Sequence, residues 1–115
     1  MLGVQTSRSI VSQGLESAVS ATSQDSKRFQ SGTHKGKAQV TRGALGIYTI
    51  TATLDEHPNP DKKDETPYQV TIRIGSDGKI SGGQKNINLS GVSGAIVSYP
   101  AQKLAEDIIK CLAKT

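Results

Sequence analysis

Residues 44–54, ALGIYTITATL, alternate with period two: Tyr48, Ile50, Ala52 and Leu54 fall on one face, and Ile47, Thr49, Thr51 and Thr53 on the other. The alternation predicts a strand with one strongly apolar face. Residues 67–74, PYQVTIRI, repeat the pattern, with Tyr68, Val70, Ile72 and Ile74 set against Gln69, Thr71 and Arg73. The segment between them, DEHPNPDKKDET, is charged and rich in turn formers, so the expected arrangement is an antiparallel pair joined by a long loop, exposed and tolerant of deletion. Parity sets the next turn. A two-residue loop at Asp77-Gly78 would send Ile80 to the polar side, whereas a three-residue loop over 76–78, with Gly78 left-handed, pairs Ile80 with Ile74. The three-residue loop is predicted. Gly82-Gly83 then breaks or bulges the strand, and a further strand over 84–90 turns Ile87 and Leu89 inward and Asn86 and Asn88 outward.

The pattern changes period at the C-terminus. Ala101, Leu104, Ala105, Ile108 and Leu112 form one stripe at helical spacing, with Ser98 placed to cap the helix and Pro100 in its first turn. Glu106 and Lys110 are spaced as a helix-stabilising pair, and Lys110 and Lys114 suit the negative end of the helix dipole. Residues 9–22 carry a weaker stripe of Val11, Leu15, Ala18 and Thr22, interrupted by Gly14. The fold class is therefore α+β: an antiparallel sheet with its apolar face covered by the C-terminal helix and a polar opposite face. That face would display Thr49, Thr51, Thr53, Gln69, Thr71, Arg73, Asn86 and Asn88, a platform for RNA or another polar partner, or an ordinary solvated surface rich in threonine for its strand propensity.

The chain of 115 residues is enough for one domain, and its 25 Leu, Ile, Val and Phe residues make a small core. So few large apolar side chains cover both sides of a sheet poorly, which predicts an obligate dimer or larger assembly with the helix stripe, Ile96 and Val97 at its seam. There is no Trp, with one Phe and three Tyr, so stacking platforms and large cofactor pockets are poorly supported. A lone Cys111 forms no internal disulfide and fits a reducing setting, packed as a small hydrophobe beside the helix stripe. No apolar run approaches a membrane span and no signal-like core is present, so a soluble, cytoplasmic protein is expected, with no membrane partner.

The net charge of +4 is concentrated. Residues 23–42 hold Lys27, Arg28, Lys35, Lys37 and Arg42 against Asp25, while residues 43–115 balance. With its serines and glycines this stretch reads as a mobile segment or exposed loop, so that 1–42 is a partly mobile basic region and 43–115 the sheet and helix of a single domain. It is either a solubilising linker or a strip that neutralises phosphates and gives salt-sensitive binding.

Catalytic and metal chemistry have little to stand on. GTHKGKA at 32–38 has the wrong spacing for a phosphate loop. Asp55, His57, Asn59 and Asp61 alternate like half a calcium loop, but Pro60 and Thr66 stand where glycine and glutamate are needed. His34, His57 and Cys111 share no ligand spacing. No nucleophile, base and acid stand together, so no enzyme, cofactor, metal or small-molecule substrate is expected.

From residue 44 onward the order of elements resembles the coat proteins of single-stranded RNA bacteriophages: IYTITATL and PYQVTIRI as adjacent strands, then QKNINLSG, then PAQKLAEDIIKCLAKT as the last helix. The resemblance is one of order and pattern. It implies a self-assembling structural protein that packages RNA against its polar sheet face, with a homodimer made by helices that interlock over the other face, here through Leu104, Ala105, Ile108 and Leu112. It also implies a virion assembled in a host cytoplasm. Two other readings are open: a domain like those that bind double-stranded RNA, which run helix, three strands, helix, and a protein-interaction module without nucleic acid.

Overall fold

The computed structural model describes residues 10–55, 68–82, 84–90 and 96–114. In chain order the elements are α1 (Ile10–Ala21), β1 (Lys27–Ser31), β2 (His34–Arg42), β3 (Ile47–Leu54), β4 (Gln69–Gly75), β5 (Asn86–Ser90), β6 (Ile96–Pro100) and α2 (Ala101–Ala113). Strands β1 to β4 form an antiparallel sheet in sequence order, and β5 pairs with β6 in a separate two-stranded ribbon. The expected α+β class is what forms. Parity holds as read: Tyr48, Ile50, Ala52, Leu54, Val70, Ile72 and Ile74 are buried, while Thr51, Thr53, Gln69, Thr71 and Arg73 are exposed.

The turn after β4 follows the parity argument. Gly78 has φ 85°, Gly75 and Lys79 are joined by a backbone hydrogen bond, and Ile80 bridges Ile74. Gln102 of α2 holds this turn, donating to the Gly78 carbonyl and accepting from Ile80 N–H. Only this isolated bridge forms after the turn, and the chain then leaves the sheet, with Gly82 at φ 92°. In β5, Ile87 and Leu89 are buried and Asn86 and Asn88 exposed, also as read.

Four expectations are corrected. The basic stretch 23–42 is not a mobile segment, since residues 27–42 form the β1–β2 hairpin, paired from Lys27↔Ala38 to Ser31↔His34. Asn86 and Asn88 do not join the threonine face, because β5 pairs with β6 and with no strand of the main sheet. Ser98 lies within β6 and does not cap α2; Pro100 occupies the cap position without a side-chain bond, and Ala101 N–H finds the Lys85 carbonyl at 2.9 Å. Leu104, Ala105, Ile108 and Leu112, assigned to a dimer seam, are fully buried within one chain, where they join the sheet's apolar face in a single core. The loop 56–67, the proposed calcium-loop residues His57, Asn59 and Asp61, and the Ile96 side chain lie outside the described residues.

The weak N-terminal stripe does form a helix. Leu15, Ala18 and Thr22 are buried, and Gly14 lets the two helices approach: a Cβ there would meet the Ile109 side chain at 3.0 Å. Thr22 Oγ1 accepts from Val40 N–H and Gln39 Nε2 donates to the Thr22 carbonyl, so the end of α1 satisfies the part of β2 that extends past β1. Both helices thus lie on the apolar side.

Between β2 and β3 the chain turns at Gly43–Gly46, closed by Gly43 N–H to the Ile47 carbonyl at 2.8 Å. Leu45 sits at its tip at φ 62° and is 98% exposed. A bulky residue in the left-handed region costs about 1 kcal/mol or more, with no burial here to offset it. Replacing Leu45 with glycine is expected to raise stability by about 1 kcal/mol in denaturant titration; an unchanged or lower midpoint would show that Leu45 makes a compensating contact.

Candidate nucleic-acid interface

The register of the sheet assembles a surface that no single segment contains. Arg28 lies opposite Lys37, Lys37 opposite Thr53, and Thr53 opposite Gln69, forming one row across all four strands. Gln39, Thr51 and Thr71 form a second row, and Thr41, Thr49 and Arg73 a third. Gln30 and Lys35 are paired at the other end, where Asp55 N–H donates to the Lys35 carbonyl. Because side chains alternate along each strand, these lie on the sheet face away from the helices, although the Gln39 amide reaches back to the Thr22 carbonyl at the end of α1. The result is an open sheet face with Arg28, Lys35, Lys37 and Arg73 against Asp55 among the described residues, set in a field of threonine hydroxyls and glutamine amides. Its aromatic neighbours Phe29, Tyr48 and Tyr68 all fall on the opposite, core-facing parity.

The predicted site residues therefore divide. Arg28, Lys35, Lys37, Thr49, Thr51, Thr53, Gln69, Thr71 and Arg73 share this face. Lys27 and Arg42 have the other parity, opposite Ala38 and Tyr48. Arg42 reaches Glu16 of α1 at 3.2 Å, on the helix side of the sheet. Asn86 and Asn88 are on the separate ribbon. Sequence reasoning missed Gln30, Gln39, Thr41 and Asp55. The odd positions Lys35, Lys37, Gln39 and Thr41 do alternate with Gly36, Ala38 and Val40, but small residues at the inward positions give that alternation little hydrophobic weight.

A two-pronged ion pair stands at the β1 corner. Arg28 reaches diagonally across β2 and grips Asp55 in a two-pronged contact, Nη1 to Oδ1 at 2.9 Å and Nη2 to Oδ2 at 2.6 Å. Hydrogen bonding to Arg28 lowers the Asp55 pKa below the usual carboxylate value, assisted by the charges of Arg28, Lys35 and Lys37. The same bond raises the Arg28 pKa. Both side chains are about half exposed, so the pair adds little to folding stability and much to the local arrangement of charge.

Two polar clusters fix the helices on the far side. Tyr48 donates to Glu16, the carboxylate that also holds Arg42. At the tip of the first hairpin, Ser31 donates to Asp107 at 2.7 Å and so accepts from the Tyr99 hydroxyl at 2.8 Å, while Lys103 sits 3.3 Å from Asp107. The buried His34 ring meets Tyr99 edge-on. With serine bonded directly to aspartate and nearly sealed from solvent, this cluster is a latch between the hairpin, β6 and α2 and lacks the accessible nucleophile and intervening base of a catalytic triad. Cys111 is half-buried against the core, its Sγ 3.7 Å from the Gln30 carbonyl. No group of three or more potential metal ligands occurs among the described residues.

The Glu16 contact makes stability depend on alkaline pH. Hydrogen bonding to Glu16, followed by burial, raises the Tyr48 pKa above its ordinary value of 10. A raised folded-state value means the contribution is complete below pH 10 and is lost as pH rises through the folded-state pKa. Tyr48→Phe is expected to cost about 1 kcal/mol at neutral pH and to flatten the alkaline fall in stability; an unchanged fall above pH 10 would assign it to other groups.

No protein-family model matches the chain, and no curated protein or solved structure is significantly similar to it.

Proposed function

We propose that the chain is a non-enzymatic RNA-binding structural protein, which holds RNA against the open face of its four-stranded sheet as the lining of a coat. The observation that carries this reading is the register that gathers Arg28, Lys35, Lys37 and Arg73 among Thr49, Thr51, Thr53, Gln69 and Thr71 on one exposed face, with both helices on the other. Ammonium and guanidinium groups neutralise phosphates without regard to sequence, and hydroxyls and amides hydrogen-bond the sugar 2′-OH and base edges. Assembly with further copies is part of this reading, with a seam that lies elsewhere than on the helix stripe.

The test is retention of a single-stranded RNA oligonucleotide as salt is raised. Lys35→Gln with Lys37→Gln should weaken every RNA alike and flatten the slope of log affinity against log salt by about 1.4. Thr51→Val and Thr71→Val should change which RNA is preferred and leave that slope unchanged. Lys27→Gln and Arg42→Gln, on the helix side, should have little effect. If the wild type is not retained at low salt, the reading fails.

The presence of α1 favours a second reading, a domain like those that bind double-stranded RNA, since the chain begins and ends its sheet with a helix. That reading puts the contact at the start of the last helix, where Lys103 is engaged with Asp107. Duplex RNA binding that survives the sheet-face substitutions would support it over the first.

A further inference from the structure

At the β1 corner of the sheet face the charges of Arg28, Lys35 and Lys37 act on one carboxylate, that of Asp55. Asp55 is fixed by its backbone N–H on the Lys35 carbonyl, at 2.9 Å. Its two oxygens take both prongs of Arg28, and the charges of Lys35 and Lys37 act on it from the same face. Two coplanar oxygens held by a guanidinium fork with ammonium groups beside them is also the way proteins hold a phosphate. Lys35 and Lys37 are two residues apart on one strand, about 7 Å along it, and Arg28 crosses β2 beside them.

We infer that this corner is a phosphate site, formed by Arg28, Lys35 and Lys37, whose place is held in the free protein by the Asp55 carboxylate. The inference rests on the RNA-binding reading and deepens it. Asp55 keeps the Arg28 fork oriented, and it also competes with any phosphate that approaches. An arriving phosphate must displace the carboxylate to gain Arg28, while Lys35 and Lys37 are available to it from the start. Asp55 therefore sets a threshold that a weak or transient anion does not pass and a polyanion, holding on through Lys35, Lys37 and Arg73, does. Phosphate of the RNA backbone and free phosphate share this chemistry, and the difference between them is the number of simultaneous contacts.

Asp55→Asn keeps the side-chain shape and removes the charge, so it tests the inference in the full-length protein. With a single-stranded RNA oligonucleotide the variant is expected to bind about tenfold more tightly at low salt and to show a salt slope steeper by about 0.7, one phosphate contact more. Adding Arg28→Gln should remove both gains. With inorganic phosphate or pyrophosphate as probe, Asp55→Asn should bind measurably where the wild type does not. If the gain from Asp55→Asn is as large with Arg28→Gln as without it, the effect is a simple sum of charges and the corner is not a site. RNA gain without gain for phosphate or pyrophosphate would restrict the site to polyanions, overturning the shared chemistry.

A second measurement needs no variant. On titrating wild-type protein with the RNA, the Arg28 side-chain N–H resonances should shift as the guanidinium exchanges carboxylate for phosphate. Resonances that stay in place while the RNA binds would overturn the inference and leave the RNA-binding reading standing. Failure of the wild type to bind RNA at all would instead remove that reading.

Discussion

Gly36→Ala is expected to destabilise the protein by about 3 kcal/mol, enough to unfold much of a domain this small. Gly36 is buried in β2 opposite Leu54, and its inward side is filled by backbone of the next strand. A Cβ at this position would fall on the Thr53 carbonyl oxygen and lie 2.8 Å from Leu54 Cα. Neither atom belongs to a flexible side chain, so relief requires β2 and β3 to move apart, which disturbs their ladder and tilts Lys35 and Lys37 on the open face. The measurement is a denaturant titration with RNA retention on the fraction that folds. A change below about 0.5 kcal/mol would mean that the strands separate there at no cost and that the close approach is not structural.

Ile108→Ala is expected to cost about 3 kcal/mol, by the same amount at every protein concentration. Ile108 is fully buried within one chain, beside Leu104, Ala105 and Leu112 on the face of α2 that meets the sheet. Removing three carbons leaves a cavity under a helix that also packs on α1, so collapse can fill only part of it. Were the stripe the seam of a dimer, the loss would appear as weaker association and the unfolding midpoint would move with concentration. Titrations at two concentrations separate the cases: the difference between wild type and variant is expected to be the same at both, and a midpoint that rises with concentration in the wild type but not in the variant would restore the seam.

Both substitutions concern residues whose type was legible and whose partners were not. The alternation in β3, β4 and β5, the three-residue loop at 76–78 and the stripe of α2 were all readable, because the pleat of a strand and the pitch of a helix are local and fix which residues share a face. The same periods say nothing of what that face meets. A helix stripe of Leu104, Ala105, Ile108 and Leu112 reads identically whether it lies on its own sheet or on a second copy's.

The candidate interface shows the division most clearly. Its threonine half was readable from period two in IYTITATL and PYQVTIRI. Its basic half was not, because the inward positions of β2 are Gly36, Ala38 and Val40, whose small side chains suit a close approach of strands and resemble a loop when read alone. The charges and their concentration in one stretch are plain in the sequence. That Arg28, Lys35, Lys37 and Arg73 share a face, that Lys27 and Arg42 do not, and that Asp55 stands among the cations all depend on pairing between strands up to tens of residues apart. Composition and local period thus determined the elements, their inward and outward residues and the site's chemical vocabulary. Register and packing, which are set by backbone hydrogen bonds and burial between distant segments, decided which of those residues meet.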